Sequence, residues 1–164
     1  MSPRKSRHVS SLTAGEMLFQ SDAGSLTALT ADRFPILEGL SVKRLVLEPG
    51  SIREPHWHAN ATELTYCLSG DLLVGMLGNA DSFSSFTIGS GQMFTAPSGS
   101  LHHIENVGES TAELIVAFRH EQPEDFSFRA SLGAMSDAVL GNTYGLDSTA
   151  FSALNRDGEV PYIL

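Results

Sequence analysis

The sequence is short of cysteine, of basic residues and of long apolar runs. One cysteine, Cys67, stands among 164 residues, which excludes an intrachain disulfide and gives no sign of an oxidising compartment. Ten Lys and Arg residues against 19 Asp and Glu residues give a formal net charge of −9, which argues against nucleic acids and anionic membranes as partners. No segment is apolar over the length that spans a membrane. The composition therefore predicts a globular protein, most simply of one domain.

The first 22 residues are polar and show no regular pattern. They predict a flexible N-terminal arm, or an edge segment contributed to a partner subunit. Arg4, Lys5 and Arg7 make the start of the arm basic, but Ser, Thr and Gly follow them in place of the apolar run of a signal peptide. We therefore expect a cytoplasmic protein.

What the chain does contain is a series of short apolar or β-branched runs separated by Gly, Pro, Ser and Asn. Many short strands with regular turn signals and no helical period are typical of an antiparallel sandwich or barrel. The sequence predicts an all-β domain over residues 23–119, with strands near residues 25–29, 41–48, 51–58, 62–68, 71–77, 83–88, 92–96, 101–106 and 112–119.

The pattern changes after residue 119. Apolar residues between 132 and 140 fall at helical spacing and predict a helix that Gly141-Asn142 ends. Asp147 is a good N-cap for a second helix that would end near residue 155. We expect residues 120–164 to form a lid loop and a short C-terminal pair of helices that belong to the same domain.

Two histidines separated by one residue lie in one of the predicted strands. His56 and His58 would point to the same face, since side chains at i and i+2 of a strand do so. Asn60-Ala61 is typical of a turn, and Glu63 would return on the next strand as an oxygen donor. Two imidazoles and a carboxylate that converge suit a divalent transition metal.

A fourth donor follows about forty residues later. His102 comes after a Pro97-Ser98-Gly99 turn, which can place its imidazole at the barrel mouth opposite the first strand pair.

Ten positions in these two regions resemble the two signature motifs of the cupin superfamily. The resemblance implies a small jelly-roll β-barrel with four metal ligands, and an alternative is that the same residues are interior polar groups of a barrel that has lost its metal. Three imidazoles and one carboxylate leave two octahedral positions open and suit manganese or iron, with nickel, cobalt and zinc as alternatives. The motifs are Gly50-x5-His56-x-His58-x4-Glu63-x6-Gly70 and Gly91-x5-Pro97-x-Gly99-x2-His102-x3-Asn106, and the implied ligands are His56, His58, Glu63 and His102.

Residues 51–58 resemble the first-motif segment of oxalate decarboxylases, in which an arginine three residues before the first ligand histidine binds the substrate carboxylate. Arg53 matches that position, and a guanidinium can hold a carboxylate in a bidentate geometry. In an ideal strand Arg53 would face away from the metal, but Pro55 disturbs the pleat. The alternative is an arginine at the rim that pairs with Glu54 or Glu48.

The resemblance continues through residues 126–144 and covers most of residues 24–162, so the chain looks like a single-barrel (monocupin) relative of these two-barrel enzymes. In the family a lid glutamate moves the proton that makes formate the product, and without it the same centre tends towards oxidation to carbon dioxide and hydrogen peroxide. Here Glu121 lies closest to that position and Glu124 is next. The alternative is a solvated acidic loop.

The leading hypothesis is a manganese-dependent enzyme that converts oxalate to formate and carbon dioxide, with dioxygen as co-catalyst. The alternatives are an oxalate oxidase, another cupin dioxygenase, a sugar-phosphate isomerase, or a non-catalytic small-ligand-binding cupin. The partners that we expect are a small dicarboxylate and a second copy of the chain, with a hexamer as the alternative to a dimer.

Overall fold

The computed structural model describes residues 6–78 and 82–164, so the predicted arm's first five residues, with Arg4 and Lys5, lie outside the described residues. Within the described part, eleven strands and two short helices follow one another along the chain. The strands are β1 (Glu16–Ser21), β2 (Gly24–Leu29), β3 (Ser41–Leu47), β4 (Ile52–Trp57), β5 (Glu63–Ser69), β6 (Asp71–Leu77), β7 (Phe83–Gly89), β8 (Met93–Ala96), β9 (His102–Asn106), β10 (Ala112–Phe118) and β11 (Phe126–Ser127), and the helices are α1 (Phe128–Gly133) and α2 (Asp137–Tyr144).

The strands form two antiparallel sheets that enclose the core. One sheet has the order β1-β2-β3-β10-β5-β8 and the other the order β11-β4-β9-β6-β7. Buried side chains alternate with half-buried ones along β3, β9 and β10 and with exposed ones along β5, as expected when one face of each sheet packs on the core. The predicted all-β jelly-roll barrel with a short C-terminal helical pair is confirmed. Its core includes Leu26, Leu45, Leu47, Cys67, Leu72, Val74, Ile104, Leu114, Val116 and Phe118.

All nine predicted strands are present, each within one residue of its predicted ends. Their turn residues explain this agreement. Gly70 has a φ of 100°, and a Cβ there would lie 2.5 Å from the Cβ of Ala112. Only glycine meets both requirements, so this residue ends β5 and starts β6 without strain.

The N-terminal region differs from the prediction. Residues 16–21 form β1 and pair with β2 of the same chain, whereas the sequence placed them in a flexible arm. The side chains of β1 are at most half-buried, which is why the strand carries no clear alternation of apolar and polar residues.

The C-terminal region also differs in detail. The predicted first helix is two helices, because Ser136 caps α2 by accepting a hydrogen bond from Val139 N–H. Gly141 lies inside α2, which ends instead at Gly145 with a φ of 65°. The second predicted helix is a single 3-10 turn, Ser148–Phe151, that does begin at the predicted cap Asp147.

The edge of β4 that does not pair with β9 is covered by β11 and by the C-terminal residues. β11 pairs with Trp57 and His56, and the chain end returns so that the backbone groups of Leu164 and Ile52 bond each other. The strand that carries the His-x-His pair is therefore held on both sides. No helix among the described residues has the length and apolar character needed to cross a membrane.

Candidate metal centre

Four side chains from the two sheets converge inside the barrel. His56 and His102 are paired across β4 and β9, His58 follows β4, and Glu63 begins β5 in the opposite sheet. One ligand atom from each of the four lies within 4.8 Å of every other, and all four residues are no more than 2% exposed. The residues predicted as ligands from the sequence are thus brought to one point.

Each histidine is fixed through the ring nitrogen that faces away from this point. His56 Nδ1 bonds the carbonyl of Glu54 at 2.7 Å and His102 Nδ1 bonds the carbonyl of Ser100 at 2.9 Å. His58 Nδ1 bonds the carbonyl of Glu124 at 2.9 Å. A carbonyl accepts only from N–H, so each Nδ1 carries a proton, and each Nε2 faces the centre, where in the neutral ring it offers a lone pair to a cation.

Glu63 supplies the negative charge of the group. Its Oε2 lies 3.0 Å from His58 Nε2 and 3.3 Å from His102 Nε2, and its Oε1 accepts from Thr65 Oγ1 at 2.5 Å. Burial alone would raise the pKa of Glu63, but the adjacent imidazoles of His102 and His58 outweigh it and hold that pKa well below its usual range. Burial lowers the pKa of His56, also well below its usual value. Glu63 is therefore ionised and His56 neutral, as metal ligands must be.

The donor set fits a divalent cation. His102 Nε2 is buried without a hydrogen-bond partner among the described residues, and a buried polar atom of this kind calls for an ion or a proton. Burial opposes protonation of His102, but the Glu63 carboxylate 3.3 Å from its Nε2 raises the pKa of His102, so a cation bound here would compete with a proton.

The two sequence motifs are joined by turn contacts at the barrel mouth. Gly99 N–H donates to the carbonyl of His58 at 2.9 Å, and Ser98 Oγ donates to the carbonyl of Ala59 at 2.6 Å. Gly99 has a φ of 81°, which an L side chain rarely adopts. The backbone bond and the positive φ of Gly99 explain why the second motif has a glycine three residues before its ligand histidine.

Arg53 points to the same face as His56. Arg53 opposes Ile104 and His56 opposes His102, so three steps along β4 match two steps along β9. The extra residue is a β-bulge at Glu54-Pro55, and a bulge of this kind inverts the side-chain alternation. Arg53 is only 3% exposed, which excludes the rim position that the sequence left as an alternative.

The acid that lies at the centre is Asp125. Its Oδ1 accepts from Arg53 Nη2 at 2.6 Å and its Oδ2 accepts from Lys43 Nζ at 2.7 Å. Oδ1 is also 3.8 Å from His56 Nε2 and 3.7 Å from His58 Nδ1. Burial would raise the pKa of Asp125, but the charges of Arg53 and Lys43 hold it well below its usual range.

The lid is the loop of residues 119–125 between β10 and β11. Its two glutamates that were predicted as catalytic acids, Glu121 and Glu124, lie away from the metal-binding group. Glu121 is exposed, and its Oε1 accepts from Gly39 N–H at 2.8 Å. Glu124 is exposed, and its backbone N–H and C=O bond Asn60 Oδ1 and His58. Their catalytic role stays a prediction.

Sequence reasoning missed Lys43 and passed over Asp125. A signal for Lys43 was available, because it occupies an inward position of β3 between Ser41 and Leu45, where a cation is out of place without a partner. The sequence offered no comparable signal for Asp125, since its position depends on how the lid folds over the mouth.

The fold and this centre define a jelly-roll barrel with a three-histidine, one-glutamate metal-binding group. Comparisons with known proteins agree. The family model described as Cupin matches residues 10–151, and the chain belongs to the cupin family.

Relatives by sequence include plant proteins. Over 136 residues the chain is 33% identical to germin-like protein 3-8 of Oryza sativa subsp. japonica, a match that covers 79% of this chain and 60% of that protein. Over 130 residues it is 35% identical to germin-like protein subfamily 2 member 2 of Arabidopsis thaliana, covering 76% and 59%. The chain spans about three fifths of the length of these relatives.

Relatives by structure include oxalate decarboxylases. A structure of the Bacillus subtilis enzyme at pH 4.6 superposes with a TM-score of 0.85 at 25% identity, and another, studied for the EPR parameters of its Mn(II) centres, with a TM-score of 0.85 at 26% identity. Each match covers 94% of this chain and 40% of the decarboxylase chain. This chain is a single-barrel relative of that enzyme.

Proposed function

We propose that the protein is a manganese-dependent enzyme that acts on oxalate and releases formate and carbon dioxide. The observation that carries the proposal is a buried arginine, Arg53, within the same enclosed space as the metal-binding group. An acidic protein needs such local positive charge to bind a small dianion. The Mn(II) centres and the activity named for the structural relatives support the choice of metal and substrate.

Two groups of residues would have separate roles, one in metal binding and one in substrate binding. His56, His58, Glu63 and His102 would hold manganese, which when bound supplies a Lewis acid and, with dioxygen, redox chemistry. Arg53 would hold a substrate carboxylate and fix its orientation.

The proton would be moved by a lid acid. In decarboxylation the bond between the two carbons breaks, one carboxylate leaves as carbon dioxide, and the proton taken from hydrogen oxalate returns to the remaining carbon. Asp125 is the lid acid nearest to Arg53 and the histidines, and we propose it for this step ahead of Glu121 and Glu124. A general acid or base must come within hydrogen-bond distance of the substrate.

The test is an oxalate assay at mildly acidic pH on manganese-loaded protein, with formate and hydrogen peroxide followed in parallel. The wild type should release formate. Arg53→Ala should lose at least about a hundredfold in kcat/KM because the substrate carboxylate loses its guanidinium partner. Arg119→Ala, which removes an exposed arginine at the end of β10, is the matched control and should retain full activity.

The lid acid is tested in the same assay. Asp125→Asn keeps the shape of the side chain but cannot move a proton, so formate production should fall by about a hundredfold or more. Glu121→Gln and Glu124→Gln should keep formate production within about threefold. Absence of both products from protein with bound manganese would refute the oxalate assignment.

An oxidase that yields carbon dioxide and hydrogen peroxide is the second candidate. The observation in its favour is that Glu121 and Glu124 are exposed while Asp125 is bound to two cations. Hydrogen peroxide without formate would establish this reaction.

We also propose that the protein acts as a homodimer, with a hexamer of such dimers as the larger assembly to test. The cytoplasmic location expected from the sequence stays a prediction.

A further inference from the structure

Two buried cations from opposite sheets hold one carboxylate inside the barrel. Lys43 comes from β3 in the six-stranded sheet and Arg53 from β4 in the five-stranded sheet. Each binds a different oxygen of Asp125, at 2.7 and 2.6 Å. Their side chains are 8% and 4% exposed, so this pair is removed from bulk water and a carboxylate between them is strongly preferred to none.

Both cations are held in place independently of Asp125. Lys43 Nζ lies 5.1 Å from the ring centre of Phe118. The guanidinium of Arg53 lies 5.2 Å from the ring centre of Tyr162 and donates to the carbonyl of that residue at 3.3 Å. Aromatic neighbours of this kind stabilise a cation when it is desolvated. Any carboxylate of suitable size would therefore find the same two donors at this position.

The space left beside the cations is too small for a substrate. The cavity bounded by Lys43, Arg53, His56, His58 and Glu63 has a volume of about 10 Å³, which is room for about one water molecule. Oxalate can therefore enter only when a group already present moves away. Asp125 is the group that belongs to the lid, so it is the one that we expect to move.

We propose that Lys43 is a second substrate-binding residue and that Asp125 occupies the position of a substrate carboxylate until substrate displaces it. The proposal rests on the proposed function for the identity of the substrate, and it deepens it by stating the class: a small dianion, one end of which is bound jointly by Lys43 and Arg53. The remaining walls, which include Leu26, Leu45, Ile104 and Val116, are apolar, so they offer little to a larger or more polar ligand.

The test measures oxalate binding to metal-free protein by calorimetry, which separates binding from turnover. Asp125→Asn removes the competing carboxylate charge and should raise the affinity for oxalate by about tenfold. Adding Lys43→Met to Asp125→Asn should abolish that gain, whereas adding Lys43→Arg should retain most of it. Acetate, with a single carboxylate, should bind at least about tenfold more weakly than oxalate to Asp125→Asn.

The matched control is Arg44→Met in the Asp125→Asn background. Arg44 is the next residue of the same strand, but it faces outward and pairs with Glu113, so its loss should leave oxalate affinity within twofold. Circular dichroism and thermal unfolding establish that each variant is folded. Should Lys43→Met itself fail to fold, Lys43→Gln replaces it with a polar side chain of similar length.

The outcomes separate this inference from the proposed function. If the affinity for oxalate is unchanged by Lys43→Met but falls with Arg53→Lys, Lys43 does not bind the substrate. If the affinity for oxalate is unchanged by Asp125→Asn, Asp125 does not occupy the position of a substrate carboxylate. Lys43-dependent binding of oxalate without turnover by the manganese-loaded wild type would leave the inference standing and refute the oxalate enzyme. Turnover of oxalate by Lys43→Met with an unchanged KM would refute the inference and leave the oxalate enzyme standing.

Discussion

Three acidic side chains, Glu54, Glu63 and Asp125, are largely shielded from water, and their surroundings set the pKa of each in a different way. Burial raises the pKa of Glu54, whose one hydrogen-bonded oxygen accepts from Ser127. Glu63 and Asp125 are also buried, but histidines in the first case and two cations in the second keep them ionised. Hydrogen-bonding and cationic partners, more than depth of burial, therefore decide the ionisation state of a carboxyl group in this barrel.

Asp125 should give the metal-free protein a steep loss of stability in acid. Its pKa in the folded protein is below the unfolded value of about 3.9. The ionised carboxylate therefore stabilises the fold above that pH, and the stabilisation is lost as the pH falls from about 5 towards the folded pKa. We expect Asp125→Asn to lower the free energy of unfolding at pH 7 by roughly 3 kcal/mol, since Lys43 and Arg53 lose their counter-charge.

Urea unfolding of metal-free protein between about pH 5 and pH 3 measures this effect. The wild type should lose stability more steeply across the range than Asp125→Asn. Asp22→Asn, which changes an exposed aspartate, should follow the wild type. Equal slopes for wild type and Asp125→Asn would contradict the assignment.

At the scale of the element, β4 and the lid act together. The bulge at Glu54-Pro55 brings Arg53 to the face of His56, and the lid places Asp125 against Arg53. Asn60 is one of the residues that fasten the lid: it donates to the carbonyl of Gln122 at 3.2 Å and accepts from Glu124 N–H at 2.9 Å. One exposed amide thus holds two points of the segment that closes the centre.

Asn60→Ala should loosen the lid without destabilising the barrel. The Glu124 amide loses its acceptor, and we expect its hydrogen exchange to become about tenfold to a hundredfold faster. Exchange in β5 and β10, which carry much of the core, should be unchanged. Amide-resolved hydrogen exchange measures both.

Asn142→Ala, on the exposed face of α2, is the control for general effects of removing an asparagine side chain. Unchanged exchange at Glu124 in Asn60→Ala would show that other contacts hold the lid closed.

The barrel and its ligands could be predicted from the sequence because their signals are local. Alternation along each strand and turns that require glycine set the strand ends, and the ligands fall at fixed positions within them. β1 was missed because an edge strand with exposed side chains has no such alternation. Asp125 was passed over in favour of Glu121 and Glu124 because all three acids lie in one loop, and only contacts with distant residues such as Asn60 and His58 determine which one turns inward.

For the whole molecule, the outer face of β5 carries an apolar stripe. Leu64, Tyr66 and Leu68 alternate with inward residues, and Met93 of β8 lies opposite Tyr66. These four side chains are 37–58% exposed. A contiguous apolar patch of this kind is typical of a protein interface, and an isologous dimer would cover it with the same patch of a second copy.

We expect the double substitution Leu64→Lys and Leu68→Lys to convert a dimer into a monomer, since four like charges would be buried at a two-fold interface. Light scattering coupled to size exclusion measures the mass at tens of micromolar protein. Val107→Lys changes an exposed apolar residue outside the stripe and should remain dimeric. A wild-type monomer, or a double variant with unchanged mass, would contradict this interface.

The three ligand histidines do not share one kind of support. His56 and His102 are oriented by carbonyls of residues two places earlier in their own chain segments, whereas His58 is oriented by the carbonyl of Glu124 on the lid. Movement of the lid therefore withdraws the Nδ1 acceptor of one ligand and leaves the Nδ1 acceptors of the other two in place. An open lid would change the donor strength of His58 through this hydrogen bond, which couples the lid to the centre in addition to the contacts of Asp125.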